Sequence, residues 1–171
     1  MIQRAFRAAL FDRNAYNAVF FDGDATADAV MLVGGVHGVV YLVQAVTRAG
    51  VSLRLVEGLL GAIISGLASW LFLAVAVWFA GTRLFGGSAQ MQTVIRLHGF
   101  AVLPLLLGIF GASALVIAGV VWFLAALVVA TSVALSLSFR DAVLSVLVGY
   151  AILFIVGLLF RLPFLVLGGL V

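Results

Sequence analysis

The sequence predicts an all-α polytopic membrane protein with five transmembrane helices, preceded by an N-terminal amphipathic interfacial helix. Hydrophobic residues make up 66% of the 171 residues and charged residues only 9%, whereas soluble domains carry about 25% charged residues. Leu97 to Phe139 contains 43 residues without a formal charge. As a helix it would extend roughly 64 Å, about twice the thickness of a bilayer core, so we expect it to cross twice.

Residues 1–28 are predicted to form a cytoplasmic amphipathic segment ahead of a transmembrane domain at 29–171. Between Met1 and Phe21, apolar positions share one helical face and most of the arginines lie towards the other. This pattern favours a helix that lies on the membrane with its arginines on anionic headgroups; a short helix packed on its own loops is the alternative. The apolar positions are Ile2, Phe6, Ala9 and Leu10.

The first two spans, Ala29–Thr47 and Gly58–Ala80, carry small residues four positions apart. This spacing lets two helix backbones approach closely in a membrane. The second span has a further ridge of small residues, so it can pack against neighbours on both sides. The further ridge consists of Gly61, Ser65 and Ser69. The predicted helix-packing residues are Gly34, Gly38, Gly58, Ala62 and Gly66.

The third span is predicted at Met91–Phe110 and the fourth at Ser113–Leu135, with a turn at residues 111–113 between them. The charge-free stretch covers most of the third span and all of the fourth. Proline lacks a backbone N–H, so Pro104 is expected to kink the third span. The fifth span is predicted at Ala142–Phe160, where Arg161 and Pro163 follow.

Four polar residues within or beside the spans are candidate functional groups: His37, Glu57, Arg96 and His98. Ionisable residues inside membranes mark ion or proton pathways, but for His37 a hydrogen bond to a neighbouring helix is the favoured interpretation. Glu57 is either an ion-coupling carboxylate or an interfacial cap paired with Arg54. Arg96 lies one or two turns into its span and can extend towards the headgroups.

The composition predicts no enzyme, metal site or cofactor. Cysteine is absent, and no metal-binding, phosphate-binding or nucleophile motif occurs. Nine arginines and no lysine give a net charge of +3, but they form no concentrated basic face, so nucleic acid is not an expected partner. In the five-span arrangement six arginines lie on the N-terminal side and three on the other, which favours a cytoplasmic N-terminus.

The segment Thr93–Gly108 resembles bacterial members of the Yip1 family. In that family a Gly–aromatic pair enters the third span and a Pro follows a few residues later; the matching positions here are Gly99, Phe100 and Pro104. Phe100 stands where Tyr is usual, and the Asp-Leu-Tyr-Gly-Pro-like segment of the eukaryotic trafficking members is absent, which argues against a Rab GTPase partner. The resemblance implies a five-span protein of the bacterial cytoplasmic (inner) membrane with its N-terminus in the cytoplasm.

These observations predict a non-enzymatic scaffold or accessory subunit that packs against partner membrane helices. The expected partners are lipids of the bilayer and either another membrane protein or a second copy of the chain. The alternative prediction is a small transporter or channel that uses His37 and Glu57.

Overall fold

The structure, a computed structural model, describes residues 1–49 and 55–168, and these ranges contain helices and no strand. Five stretches of it are long and apolar enough to cross a membrane, as the sequence predicts, so the chain has the architecture of a multi-pass membrane protein. The elements are α1 Ile2–Ala9, α2 Arg13–Phe20, α3 Ala25–Ala49, α4 Leu55–Leu84, α5 Met91–Phe100, a 3₁₀ helix Leu103–Phe110, α6 Ser113–Leu135 and α7 Phe139–Gly168.

The spans begin and end close to the predicted positions, and the differences lie at their ends. The hairpin turn occurs where predicted: Gly111 has a φ of 62° and α6 begins at Ser113. A left-handed residue at this point reverses the chain at little cost only when it is glycine. Helix α7 begins at Phe139 and runs through Pro163 to Gly168, so Arg161 and Pro163 do not end it. The predicted partner of Glu57, Arg54, lies outside the described residues.

The N-terminal segment forms two short helices where the sequence pattern predicts one. Helix α1 ends at Ala9 and α2 begins at Arg13, because Phe11 adopts a left-handed φ of 63° and Asp12 caps α2 by accepting from the backbone N–H of Asn14 at 2.8 Å. Aspartate is a preferred N-cap residue. The periodic pattern of apolar residues continues through the break between α1 and α2. The pattern therefore does not reveal that the helix is interrupted.

Both N-terminal helices pack against the middle of α6. The Trp122 indole donates to the carbonyl of Ala9 at 2.7 Å, and the buried Tyr16 hydroxyl donates to the carbonyl of Ala126 at 3.2 Å. Trp122 and Ala126 lie near the centre of the span Ser113–Leu135. The segment 1–28 therefore shares one hydrophobic core with the spans and does not form a separate layer.

The outward face of α1 is apolar. Its alanines at positions 5 and 8 point into the protein, while Ile2, Phe6 and Leu10 are 68%, 61% and 59% exposed. Side chains this apolar suit contact with lipid better than contact with water. An interfacial position of this helix stays a prediction.

The third span consists of two kinds of helix. Helix α5 ends at Phe100, and after a turn the chain continues as a 3₁₀ helix with Pro104 in its first turn. Pro104 cannot bond the carbonyl of Phe100 and would clash with it in a continuous α-helix, whereas a first turn needs no such bond. The predicted kink is therefore a change of helix type. The carbonyl of Gly108 in this segment accepts from the Gln44 side chain at 2.7 Å.

Arg96 bonds the N-terminal segment of the chain, and its extension towards the headgroups stays a prediction. Its side chain is buried and donates to the main-chain carbonyl of Asp22, while the Asp22 carboxylate accepts from Arg4 at 2.5 Å. Arg96 thus joins α5 to the turn between α2 and α3. The arginine meets this turn because the N-terminal helices pack on the α5 side of the bundle. The residues next to Arg96 in the sequence do not reveal that arrangement.

We predict that docking of the N-terminal helices weakens in acid. The hydrogen bond from Arg4 holds the pKa of Asp22 below its ordinary value of 3.8. A carboxylate with a depressed pKa stabilises the fold above its unfolded pKa and loses that contribution as the pH falls through the lower, folded value. Thermal unfolding measured between pH 7 and pH 3 should show this loss in the wild type and less of it in Asp22→Asn.

The Arg4→Gln variant is the control, because it removes the same pair from the other side. It should lower the stability at pH 7 as Asp22→Asn does, and the double variant should add little further loss. Parallel acid profiles of wild type and Asp22→Asn would contradict the prediction.

Candidate functional site

The predicted helix-packing glycines lie at the interface between α3 and α4 of the same chain. Gly34 and Gly38 receive the side chain of Ile63, which would lie 3.5 Å and 3.4 Å from an added Cβ. In the opposite direction, a Cβ on Gly58 would overlap Tyr41 and one on Gly66 would overlap the His37 ring. These glycines therefore pack α3 against α4 within the chain.

The second ridge of α4 has a different environment. Gly61, Ser65 and Ser69 are exposed, and no atom lies within 4 Å of where a Cβ on Gly61 would stand. The Ser65 hydroxyl donates to the carbonyl of Ala62 at 3.2 Å, one turn back on its own helix. The ridge therefore presents a smooth, open surface along the outside of α4.

A cavity of about 130 Å³ lies where all five spans meet, and both histidines of the chain line it. Its walls come from α3, α4, α5, the 3₁₀ helix, α6 and α7, and five of the twelve lining residues are aliphatic. The polar and aromatic residues of the lining are His37, Ser69, Trp70, His98, Phe123 and Tyr150. No Asp, Glu or Arg is part of this lining.

His98, a buried residue of the lining, has one ring nitrogen with a hydrogen-bond partner and one without. Its Nε2 lies 3.0 Å from the Thr131 hydroxyl of α6, while its buried Nδ1 has no hydrogen-bond partner in the described structure. The ring is held by its position on α5, directly before the close approach of Gly99 to α3. A buried ring nitrogen without a partner costs free energy, so it marks a position where a further molecule can bind.

His37 presents the second ring to the cavity. Its Nδ1 lies 2.9 Å from the carbonyl of Val33, and because a carbonyl only accepts, Nδ1 carries the proton of this bond. The Nε2 of the neutral ring is then an acceptor. The ring packs against Gly66, where only glycine leaves room for it.

The structure brings together two of the four candidate polar residues and separates the other two from them. Glu57 is exposed in the first turn of α4, whereas His37 packs against Gly66 of that helix, nine residues further on. Arg96 bonds the turn at Asp22 and does not line the cavity. His37 and Glu57, the two residues of the alternative transporter prediction, therefore lie apart along α4 in this structure.

Three further residues of the site carry no clear signal in the sequence. Trp70 donates its indole N–H to the carbonyl of Ile95 at 3.1 Å, which fixes its ring at the cavity wall. Thr131 of α6 contacts His98 through its hydroxyl. Tyr150 reaches the cavity from α7. In the sequence, only their location within apolar spans distinguishes these three residues. Many apolar spans contain such residues, so this location does not by itself indicate a site.

Chemically, the cavity offers hydrogen-bonding groups and aromatic faces. Among residues 1–49 and 55–168 no group of three or more His, Cys, Asp or Glu could hold a metal ion. Two imidazoles without a nearby carboxylate or thiol can orient a bound molecule, but they do not form a nucleophile–base–orienter set.

No family model matches this chain, and no curated protein or solved structure matches it either. Membership of the Yip1 family therefore stays a prediction from the segment Thr93–Gly108. The structure gives each motif residue of this segment a physical role. Gly99 allows α5 to approach Ala29 of α3, Phe100 is fully buried, and Pro104 begins the 3₁₀ helix.

Proposed function

We propose that this chain is a non-enzymatic integral membrane protein that acts as a scaffold or accessory subunit, packing the outer face of α4 against a helix of a partner. The observation that carries the proposal is the open ridge of Gly61 and Ser65. The inner ridge of the same helix is filled by Tyr41 and His37 of α3, whereas the outer one has free space beside it.

The physical support is the way helices associate in lipid. Apolar side chains gain little by leaving lipid for protein, so association depends on close packing and on hydrogen bonds between helices. Small residues allow that close packing, and a serine hydroxyl can add a hydrogen bond across the interface. The partner is either another membrane protein or a second copy of the chain.

The proposal includes the membrane and the orientation. By resemblance to the bacterial Yip1 family, we place the chain in the bacterial cytoplasmic membrane. The arginine distribution supports a cytoplasmic N-terminus, since positive charge favours that side. Single cysteines introduced at Ser88 and at Ala112, which lie in loops at opposite ends of the spans, should react from opposite sides of the membrane.

We expect Gly61→Leu to release the partner without unfolding the chain. The added side chain would occupy open space in the monomer but would separate two packed helix backbones. Co-purification in mild detergent should then recover several-fold less partner than from wild type. Gly157→Leu is the matched control, because Gly157 is an exposed glycine with open space on α7.

Cysteine cross-linking identifies the partner directly, since the chain contains no cysteine of its own. Ser65→Cys should give a specific adduct, with the partner or with a second copy, and Leu147→Cys on the exposed side of α7 should not. Equal recovery of partner with Gly61→Leu and wild type, and equal cross-linking at both cysteines, would overturn the proposal.

A further inference from the structure

We propose that the cavity between the five spans binds the ring of a small, uncharged, lipid-soluble molecule that carries a hydrogen-bonding oxygen, of the phenol or quinone class. This inference concerns the inside of the bundle and does not depend on the partner proposed for the outer face of α4.

The size of the cavity suits a single six-membered ring. Its volume is about 130 Å³, and an apolar protein cavity of about 150 Å³ holds one benzene molecule. Three of the lining residues, Trp70, Phe123 and Tyr150, offer aromatic rings, which favour edge or offset contacts with another ring.

The polar groups of the cavity favour a ligand whose ring carries an oxygen atom. The buried Nδ1 of His98 has no partner in the described structure, and the hydrogen bond of His37 to Val33 leaves its Nε2 as an acceptor. An oxygen that bonds the His98 nitrogen would satisfy a group that otherwise stays unpaired. A purely apolar ring would leave it unpaired.

The location of the cavity excludes a charged ligand. Its walls belong to five apolar spans, and no arginine or carboxylate lines it. A charge would be desolvated there without a counter-charge. A neutral molecule that partitions into lipid can reach the cavity from the bilayer, and the exposed Ser69 is part of the lining.

The two histidines make the test selective, because the chain has no others and both line the cavity. We would titrate full-length protein, labelled with ¹⁵N-histidine and held in lipid nanodiscs, with phenol and with its isostere toluene. Phenol should shift the His98 Nδ1 resonance saturably. Toluene should leave that nitrogen largely unshifted, because it offers no hydrogen bond.

Two pairs of variants test whether the response belongs to the cavity. Ser69→Leu should weaken phenol binding at least tenfold by adding bulk to the lining, whereas Ala68→Leu, at the exposed neighbouring position that does not line the cavity, should bind as wild type. His98→Leu, with the His37 signals as reporter, should also bind at least tenfold more weakly, while His37→Leu should retain the saturable shift of His98.

Three results would overturn the inference: shifts that rise linearly and equally with phenol and toluene, an equal response of Ser69→Leu and Ala68→Leu, or a His98 nitrogen that stays in contact with water throughout the phenol titration. Linear and equal shifts would mean that both molecules simply partition into lipid. A His98 nitrogen in lasting contact with water would mean that water occupies the cavity. The retained dispersion of the histidine signals shows whether each variant is folded.

Discussion

Replacing Gly99 by alanine is expected to destabilise the bundle by about 1–3 kcal/mol, which is the usual cost of overpacking a core. The added Cβ would stand 2.5 Å from the Cβ of Ala29 and 3.1 Å from its Cα. These are atoms at and beside the backbone of α3, which cannot rotate away as a flexible side chain can. The helices must therefore separate along the face that also holds His98. Titration with SDS from bicelles measures the loss.

The matched control is Gly61→Ala on α4. Its Cβ meets open space, and alanine has the better helix propensity by about 1 kcal/mol, so this variant should be as stable as wild type or slightly more stable. If both variants unfolded at the same SDS fraction, close approach at Gly99 would not limit the packing of α3 against α5.

Tyr16→Ala is expected to release the N-terminal helices from the spans. The ring is fully buried and its hydroxyl bonds the carbonyl of Ala126. Deleting a large buried aromatic side chain costs about 3–5 kcal/mol, whereas Tyr16→Phe, which loses only the hydrogen bond, should cost about 1 kcal/mol. Thiol labelling of an Ala8→Cys background measures the release, because Ala8 is fully buried in α1.

With Tyr16 intact, the thiol of Ala8→Cys should react slowly with a membrane-impermeant reagent, and with Tyr16→Ala added it should react at least tenfold faster. Asn17→Ala is the neighbouring control, because that side chain is exposed and its removal should leave labelling slow. Fast labelling of Ala8→Cys with Tyr16 intact would mean that α1 does not pack against the spans.

The membrane architecture follows from the sequence because it depends on local composition. A charge-free stretch such as Leu97–Phe139 is too long for one crossing and needs a reversal, and a glycine at position 111 provides it. Length, charge and turn residues act over a few neighbouring positions. A single sequence is sufficient to locate them.

The N-terminal helices and Arg96 could not be predicted because their positions depend on contacts far apart in the chain. The bond from Tyr16 to Ala126 joins residues 110 positions apart, and that from Arg96 to Asp22 joins residues 74 positions apart. An amphipathic pattern shows that a helix has an apolar face, but it does not show whether lipid or the remaining protein covers that face.

Only part of the candidate site could be predicted from the sequence, because its residues also come from distant parts of the chain. His37 and His98 stand out as histidines in apolar helices, but they lie 61 positions apart, and only the packing of α3 beside α5 brings them to one cavity. Glu57 stands out equally and takes no part in it. The unpaired nitrogen of His98 depends on what surrounds the ring, which no pattern of residue types expresses.

The change of helix type at Pro104 has a consequence for how far the third span reaches. A 3₁₀ helix rises about 2.0 Å per residue and an α-helix about 1.5 Å. The eight residues of Leu103–Phe110 therefore extend about 4 Å further than they would as a continuation of α5. The span of 20 residues, the shortest of the five, gains this length without an extra residue, so it can cross a core of about 30 Å at a greater tilt than a continuous α-helix of the same residues.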